Sequence, residues 1–121
     1  MKALIFVAHG SKKELSNNEF ISMVESIKER VNTYDIIKAS FLEIAEPSMD
    51  DASKRAIEEG AKEIYYYPFF LNSGRHVAVD IPNIIYTLKN SYDDVEFKIL
   101  EHFGKSEYIE DIVLKDIYQN R

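Results

Sequence analysis

The chain has 121 residues, 45% hydrophobic and 30% charged, which suits one globular domain spanning residues 1–121 with a single core. Its 15 basic and 21 acidic residues leave a net charge of −6, and the only dense basic spots, Lys12-Lys13 and Lys54-Arg55, do not make the basic face of a nucleic-acid binder. No run approaches the roughly 20 apolar residues of a membrane span, no signal peptide is expected, and zero cysteine excludes a disulfide scaffold, a thiolate zinc site and a cysteine nucleophile, so a cytoplasmic location is expected.

Residues 3–8 are continuously apolar and read as a buried parallel strand. Ser16 and Glu19 have capping-box spacing, which predicts a helix start at Ser16. Phe20, Met23, Val24, Ile27 and Val31 then repeat at helical spacing. Residues 35–43 form a second strand, stopped by Pro47, and Ser48 with Asp51 marks a second helix start. That helix carries Met49, Ala52, Ala56 and Ile57, with Gly60 as its C-terminal cap.

A third apolar strand covers residues 63–70, followed by an Asn72–Arg75 turn. Asp80 is read as an N-cap, with Pro82 tolerated in the first turn, and a start nearer His76 is the alternative. Ile81, Ile84, Ile85 and Leu88 give the third helix one apolar face. Residues 95–100 form a fourth strand, and Ser106 opens a last helix with Ile109, Ile112, Val113 and Ile117 expected to face inward.

The order βαβαβαβα implies an α/β fold with parallel strands joined by right-handed crossovers. Every strand-to-helix turn then lies on one edge of the sheet, where open α/β sheets bind ligands. That edge collects His9-Gly10-Ser11, the segment from Glu43 to Glu46, the segment from Leu71 to His76, and Glu101-His102. If the first and third strands are neighbours, His9 and His76 face one cleft.

Each of these residues has a chemical reading. His9 can serve as metal ligand or general base, Gly10 lets backbone approach a ligand, and Ser11 adds a hydroxyl. Asn72-Ser73-Gly74 can point backbone N–H groups at an anion, and Arg75 offers a donor fork for a carboxylate or phosphate. Glu43 or Glu46 can hold a metal, orient an imidazole or receive a proton. Phe69, Phe70 and Leu71 can wall a flat ligand. His102 reads as a half-exposed loop histidine beside an edge strand.

Four segments carry a resemblance. They are Val7-Ala8-His9-Gly10-Ser11, Phe41 to Pro47, Pro68 to His76, and Asp80-Ile81-Pro82. In order and spacing the chain resembles the short, single-domain class II chelatases, the archaeal-type sirohydrochlorin cobaltochelatases and nickelochelatases. The long third segment with its trailing Asp-Ile-Pro is the specific one. The resemblance implies a chelatase-like three-layer fold, a four-stranded parallel sheet flanked by helices. It puts His9 and His76 on the incoming divalent ion, with His9 also the proton acceptor. It puts Ser11, Glu43, Glu46, Leu71, Asn72, Ser73, Gly74, Arg75 and His76 on the tetrapyrrole.

The resemblance further implies that Co²⁺ or Ni²⁺, with Fe²⁺ as a third choice, is a substrate and no cofactor is tightly bound. Larger relatives hold two such lobes, and a lone lobe is expected to pair as a homodimer. Three departures stand out. The region before the last strand is only Asn90 to Asp94, without a histidine-rich loop; Lys12-Lys13 replaces an arginine; and His102 replaces a proline.

The chemistry suits the residues. Metal insertion displaces two pyrrole protons, and an imidazole can hold the ion and take a proton. Nitrogen donors suit Co²⁺ or Ni²⁺ better than Mg²⁺. No phosphate-binding loop implies ATP. A non-catalytic metal or tetrapyrrole carrier would use the same residues. Histidine phosphoryl transfer is disfavoured, because Ala8 stands where that chemistry needs an arginine clamp.

Overall fold

A computed structural model describes residues 1–119. Strands β1 (Lys2–Ala8), β2 (Ile36–Phe41), β3 (Glu63–Pro68) and β4 (Glu96–Ile99) form one parallel sheet in the order β2-β1-β3-β4. Helices α1 (Glu14–Lys28), α2 (Met49–Glu58), α3 (Ile81–Ser91) and α4 (Ile109–Tyr118) follow the four strands in turn. The β1–β3 pairing assumed from the sequence is present, so the turns carrying His9 and His76 are neighbours.

Alternation along β1 splits the core into two layers. Ala3, Ile5 and Val7 pack with Ile64 and Tyr66 against α2 and α3, through Met49, Ala52, Ala56, Ile81, Ile85 and Leu88. Leu4 and Phe6 face the other way, with Ile37 and Phe41, onto Phe20 and Val24 of α1. Each fully buried aliphatic side chain stabilises the fold by about 1.5–3 kcal/mol relative to exposure, which holds the strand ends in place.

Polar groups inside this core are partnered. Ser40 donates to the Phe6 carbonyl at 2.9 Å. Ser53 Oγ lies 2.7 Å from the Met49 carbonyl and 2.7 Å from the Tyr66 hydroxyl. One arrangement satisfies all three, with Ser53 donating to the carbonyl and accepting from Tyr66. Burial pushes the Tyr66 hydroxyl well above the ordinary tyrosine range, only partly offset by the bond to Ser53.

Local signals are honoured unevenly. Ser48 caps α2 as expected, accepting from the Asp51 amide at 3.0 Å, and Gly60 follows that helix at φ +111°. Helix α1, however, begins at Glu14, without a side-chain cap. The expected start at Ser16 yields because Asn17 bonds both the amide and the carbonyl of Ser11, at 2.9 and 2.7 Å, tying the helix to the β1 turn. Val31 lies beyond the helix but still packs on its layer.

Two further expectations are corrected. Asp80 is not an N-cap, and the alternative start holds: the backbone is already helical from His76, as a π turn over His76–Asp80 that runs into α3. Pro82 has no N–H for the Ala78 carbonyl and its ring crowds that group, so the turn before it winds wide. Helix α4 starts at Ile109 rather than Ser106, and Ile112, Val113 and Ile117 are 50, 48 and 61% exposed rather than inward. Among the described residues, no helix is long and apolar enough to cross a membrane.

Candidate metal centre

The β1–β2 ladder does not stop where the strands do. Leu42 N–H donates to the Ala8 carbonyl at 2.9 Å, and Glu43 N–H donates to the His9 carbonyl at 3.1 Å. This extension sets Glu43 beside His9, and the His9 Nε2 atom is hydrogen-bonded to Glu43 Oε1. Gly10 is what permits it. Its φ is +100°, and a Cβ there would lie 1.9 Å from the Glu43 carbonyl oxygen.

The third turn brings the second imidazole. Phe69 N–H bonds the Val7 carbonyl at 2.8 Å, carrying β3's path along β1. The chain then crosses an exposed Leu71–Arg75 loop into the π turn. Gly104 supports that loop from behind, donating to the Phe70 carbonyl at 2.9 Å, with no room for a Cβ against the Leu71 carbonyl. The His9 and His76 rings lie 4.5 Å apart, and the Phe70 ring backs His76 at 5.9 Å in a nearly parallel stack.

His9, Glu43 and His76 each present a ligand atom within 4.8 Å of the other two. Two imidazole nitrogens and one carboxylate oxygen form a donor set for a borderline divalent ion. The histidine side chains are 43 and 39% exposed and Glu43 55%, so the trio opens to solvent on one side. Two concavities flank it. A cleft of about 450 Å³ on the α1 side is lined by His9, Ser11, Asn17, Phe20 and Phe69. A recess of about 320 Å³ on the α3 side is lined by Glu43, His76, Asp80 and Ile84.

The CbiX family model matches residues 3–120. The chain belongs to the CbiX family. Among curated relatives, this CbiX chain is 37% identical over 93 residues to the sirohydrochlorin cobaltochelatase of Methanocaldococcus jannaschii, covering 77% of this chain and 64% of that one. It is 33% identical over 110 residues to the chloroplastic sirohydrochlorin ferrochelatase of Arabidopsis thaliana, covering 91 and 48%. The chain thus spans between about half and two thirds of the length of these relatives. The crystal structure of a CbiX protein from Marinobacter aquaeolei superposes with a TM-score of 0.80 at 28% identity, covering 98% of this chain and 99% of that one.

The remaining candidates are spread along the CbiX edge. Ser11 joins His9 in the α1-side cleft. Leu71, Asn72, Ser73, Gly74 and Arg75 are all exposed along the loop before His76. Arg75 Nε stands 3.9 Å from Asp80 Oδ1. Glu46 lines a separate small recess with Pro47, Asp51 and Arg55. His102 lies over on the β4 side, in a groove with Tyr67, Leu100 and Tyr108. The residue that sequence reasoning misplaces is Asp80, whose Oδ2 is 2.7 Å from His76 Nδ1. The available signal is the i, i+4 spacing of His76 and Asp80, which on a helical turn brings the two side chains together.

Proposed function

We propose that this CbiX chain is a sirohydrochlorin chelatase, a lyase-type enzyme inserting Co²⁺ or Fe²⁺ into the free-base macrocycle. Ni²⁺ is a further candidate ion. Its place is tetrapyrrole biosynthesis of the cobalamin, siroheme or coenzyme F430 type, in the cytoplasm, with residues 1–121 acting as one lobe. The carrying observation is the convergence of His9, Glu43 and His76 donor atoms within 4.8 Å at the open strand ends of a CbiX fold. The M. jannaschii and A. thaliana relatives are named for cobalt and iron respectively. Nickel rests on the donor set and on the resemblance of the sequence motifs.

The reaction needs an ion held loosely and a base for two pyrrole protons. His9, His76 and Glu43 hold the ion at the cleft mouth, and the macrocycle lies over them against the exposed loop from Leu71 to Arg75. As pyrrole nitrogens take the ion, His9 is released from it and accepts one of the two protons, with Glu43 beside it to stabilise the imidazolium, and the second proton passes to solvent at the open side of the trio. Ser11, Arg75 and the loop amides receive the peripheral carboxylates, and Glu46 contacts the substrate from the far side of the turn.

The test is the visible spectrum of anaerobic sirohydrochlorin with each ion, with and without protein. Protein-dependent initial rates above the uncatalysed rate are expected, lost in His9→Ala and His76→Ala. Variants matching the wild type would remove the assigned roles. Stoichiometric spectral change without turnover would make the protein a carrier.

We also propose that two copies pair through α4. Ile112, Val113, Leu114, Ile117 and Tyr118 give that helix a broad apolar stripe that is exposed, where such a stripe ordinarily faces a packing partner. Next to it runs a groove of about 530 Å³ lined by Tyr67, Leu100 and Tyr108. A two-fold pairing buries helix and groove on both copies at once. Sedimentation at twice 14.1 kDa is expected, returning to 14.1 kDa in Ile112→Glu/Ile117→Glu. A wild-type mass of one chain would refute the pairing.

A further inference from the structure

We infer that Asp80 is a positioning residue for the metal trio: it fixes the tautomer and the ring orientation of His76. The inference rests on the chelatase reading of the site. Asp80 itself stands outside the set of donors that converge within 4.8 Å. What it touches is the far side of a ligand. Its Oδ2 lies 2.7 Å from His76 Nδ1. A carboxylate accepts only, so the proton sits on Nδ1 and the bond is Nδ1–H donating to Oδ2. With Nδ1 protonated, Nε2 carries the lone pair, and it is the nitrogen left for the ion.

The backbone shows why this pairing is durable. His76 and Asp80 open and close one π turn, whose Ile81 N–H returns to the His76 carbonyl. The turn is anchored upstream, where Val77 and Ala78 amides bond the Gly74 carbonyl at 3.1 and 3.0 Å. Downstream, Ile81 is fully buried against the sheet. Asp80 is therefore held by the rigid root of α3, and His76 stands in front of it at the end of an exposed loop. Asp80 holds the ring by its edge, and Phe70 stacks on one of its faces. Carboxylate and aromatic together leave the imidazole one orientation, towards His9.

His9 is arranged differently. Its partner Glu43 belongs to the trio and competes for the same ion. The two histidines are thus unequal. His76 has a partner outside the site and stays a fixed ligand. His9 has a partner inside it and can exchange metal for proton. Partners of this kind, behind a ligating histidine, typically set metal affinity by 10–100-fold.

The experiment titrates Co²⁺ alone into full-length wild type, Asp80→Ala and Asp80→Asn, with no tetrapyrrole, and follows the Co²⁺ visible absorption. Melting temperatures monitor the fold. The carboxamide in Asp80→Asn can accept from Nδ1–H or donate its own N–H to a bare Nδ1, so it keeps a hydrogen bond without fixing the tautomer, and that variant is expected to bind about 10-fold more weakly than wild type. Asp80→Ala is expected to bind about 10–100-fold more weakly, with a melting temperature close to that of Asp80→Asn. Wild-type affinity in Asp80→Ala would overturn the inference. Wild-type affinity in Asp80→Asn would overturn it too, because a partner able to donate to Nδ1 would then serve as well as one that only accepts. Absence of Co²⁺ binding by the wild type would remove the trio itself. Binding without turnover on sirohydrochlorin would instead count against the chelatase reading and leave the Asp80 result standing.

Discussion

Gly10→Ala is the sharpest test of how the fold builds the site, because the substitution adds one methyl group and no charge. At φ +100° an alanine incurs a backbone penalty of about 1–2 kcal/mol. Its Cβ would sit 1.9 Å from the Glu43 carbonyl oxygen, so one of the two turns must retreat by roughly 1 Å or more to reach ordinary contact. That carbonyl accepts from the Ala45 amide at 2.7 Å, and the Glu43 amide bonds the His9 carbonyl at 3.1 Å. Losing or stretching both costs about 0.5–1.5 kcal/mol each. The total is roughly 2–5 kcal/mol, or on the order of 8–20 °C in melting temperature for a chain of this size. The same retreat moves Glu43 away from His9, so Co²⁺ affinity is expected to fall by about 10-fold or more. Circular dichroism melts and a Co²⁺ titration on the same preparation read both effects. A variant with unchanged melting temperature and unchanged Co²⁺ affinity would refute the claim that this close approach registers the two ligands.

Glu43→Gln keeps a hydrogen-bond acceptor for His9 but removes the charge; a Co²⁺ affinity roughly 10-fold below wild type is expected, because Glu43 is partly exposed and its field is screened. Titration of Co²⁺ at two ionic strengths checks it, and equal affinity would take Glu43 out of the donor set. Tyr66→Phe removes a buried hydroxyl from Ser53, which keeps its bond to Met49, so a loss of about 1 kcal/mol is expected in urea unfolding near pH 7. The pH dependence has a definite sign. Burial raises the folded-state pKa of Tyr66 above its unfolded value, so the contribution is complete below pH ~10 and is lost as pH rises from there towards the folded value. Wild type is therefore expected to lose stability faster than Tyr66→Phe above pH ~10, and parallel curves would contradict the assignment.

Much of this fold is legible because its signals are periodic. The apolar runs of β1 and β3 and the Ser48 cap depend on near neighbours in sequence, and each appears as expected. What fails depends on partners that spacing alone does not reveal. The capping-box spacing at Ser16 loses to Asn17, whose side chain finds the Ser11 backbone instead. An aspartate before an apolar helix reads as an N-cap, but the Gly74 carbonyl has already started the winding, which frees Asp80 for His76. The apolar stripe of α4 is present as a stripe, but a stripe does not name what covers it. At the site, the sequence offers Glu43 and Glu46 alike. The ladder decides between them geometrically, pairing Glu43 with His9 before Ile44 turns at φ +71° and takes Glu46 to another recess.

The site's framework and its ion have separate foundations, and this makes metal removal informative. The three donors hang on backbone ladders and on two buried layers that contain no ligand atom. A structural zinc site, by contrast, closes four ligands round the ion and supplies folding energy itself. Here the trio is three donors open to solvent on one side, which suits the proposed role of holding an ion in transit. The chain is therefore expected to remain folded in EDTA, with an unchanged far-ultraviolet spectrum. Added Co²⁺ should stabilise it only by mass action, about 2.7 kcal/mol at a hundredfold excess over Kd. An apo chain that unfolds on chelation would overturn this, since the ladders would then depend on the ion rather than hold the donors ready for it. An apo fold that stays intact while His9→Ala loses the Co²⁺-dependent stabilisation would tie the binding energy to the trio alone.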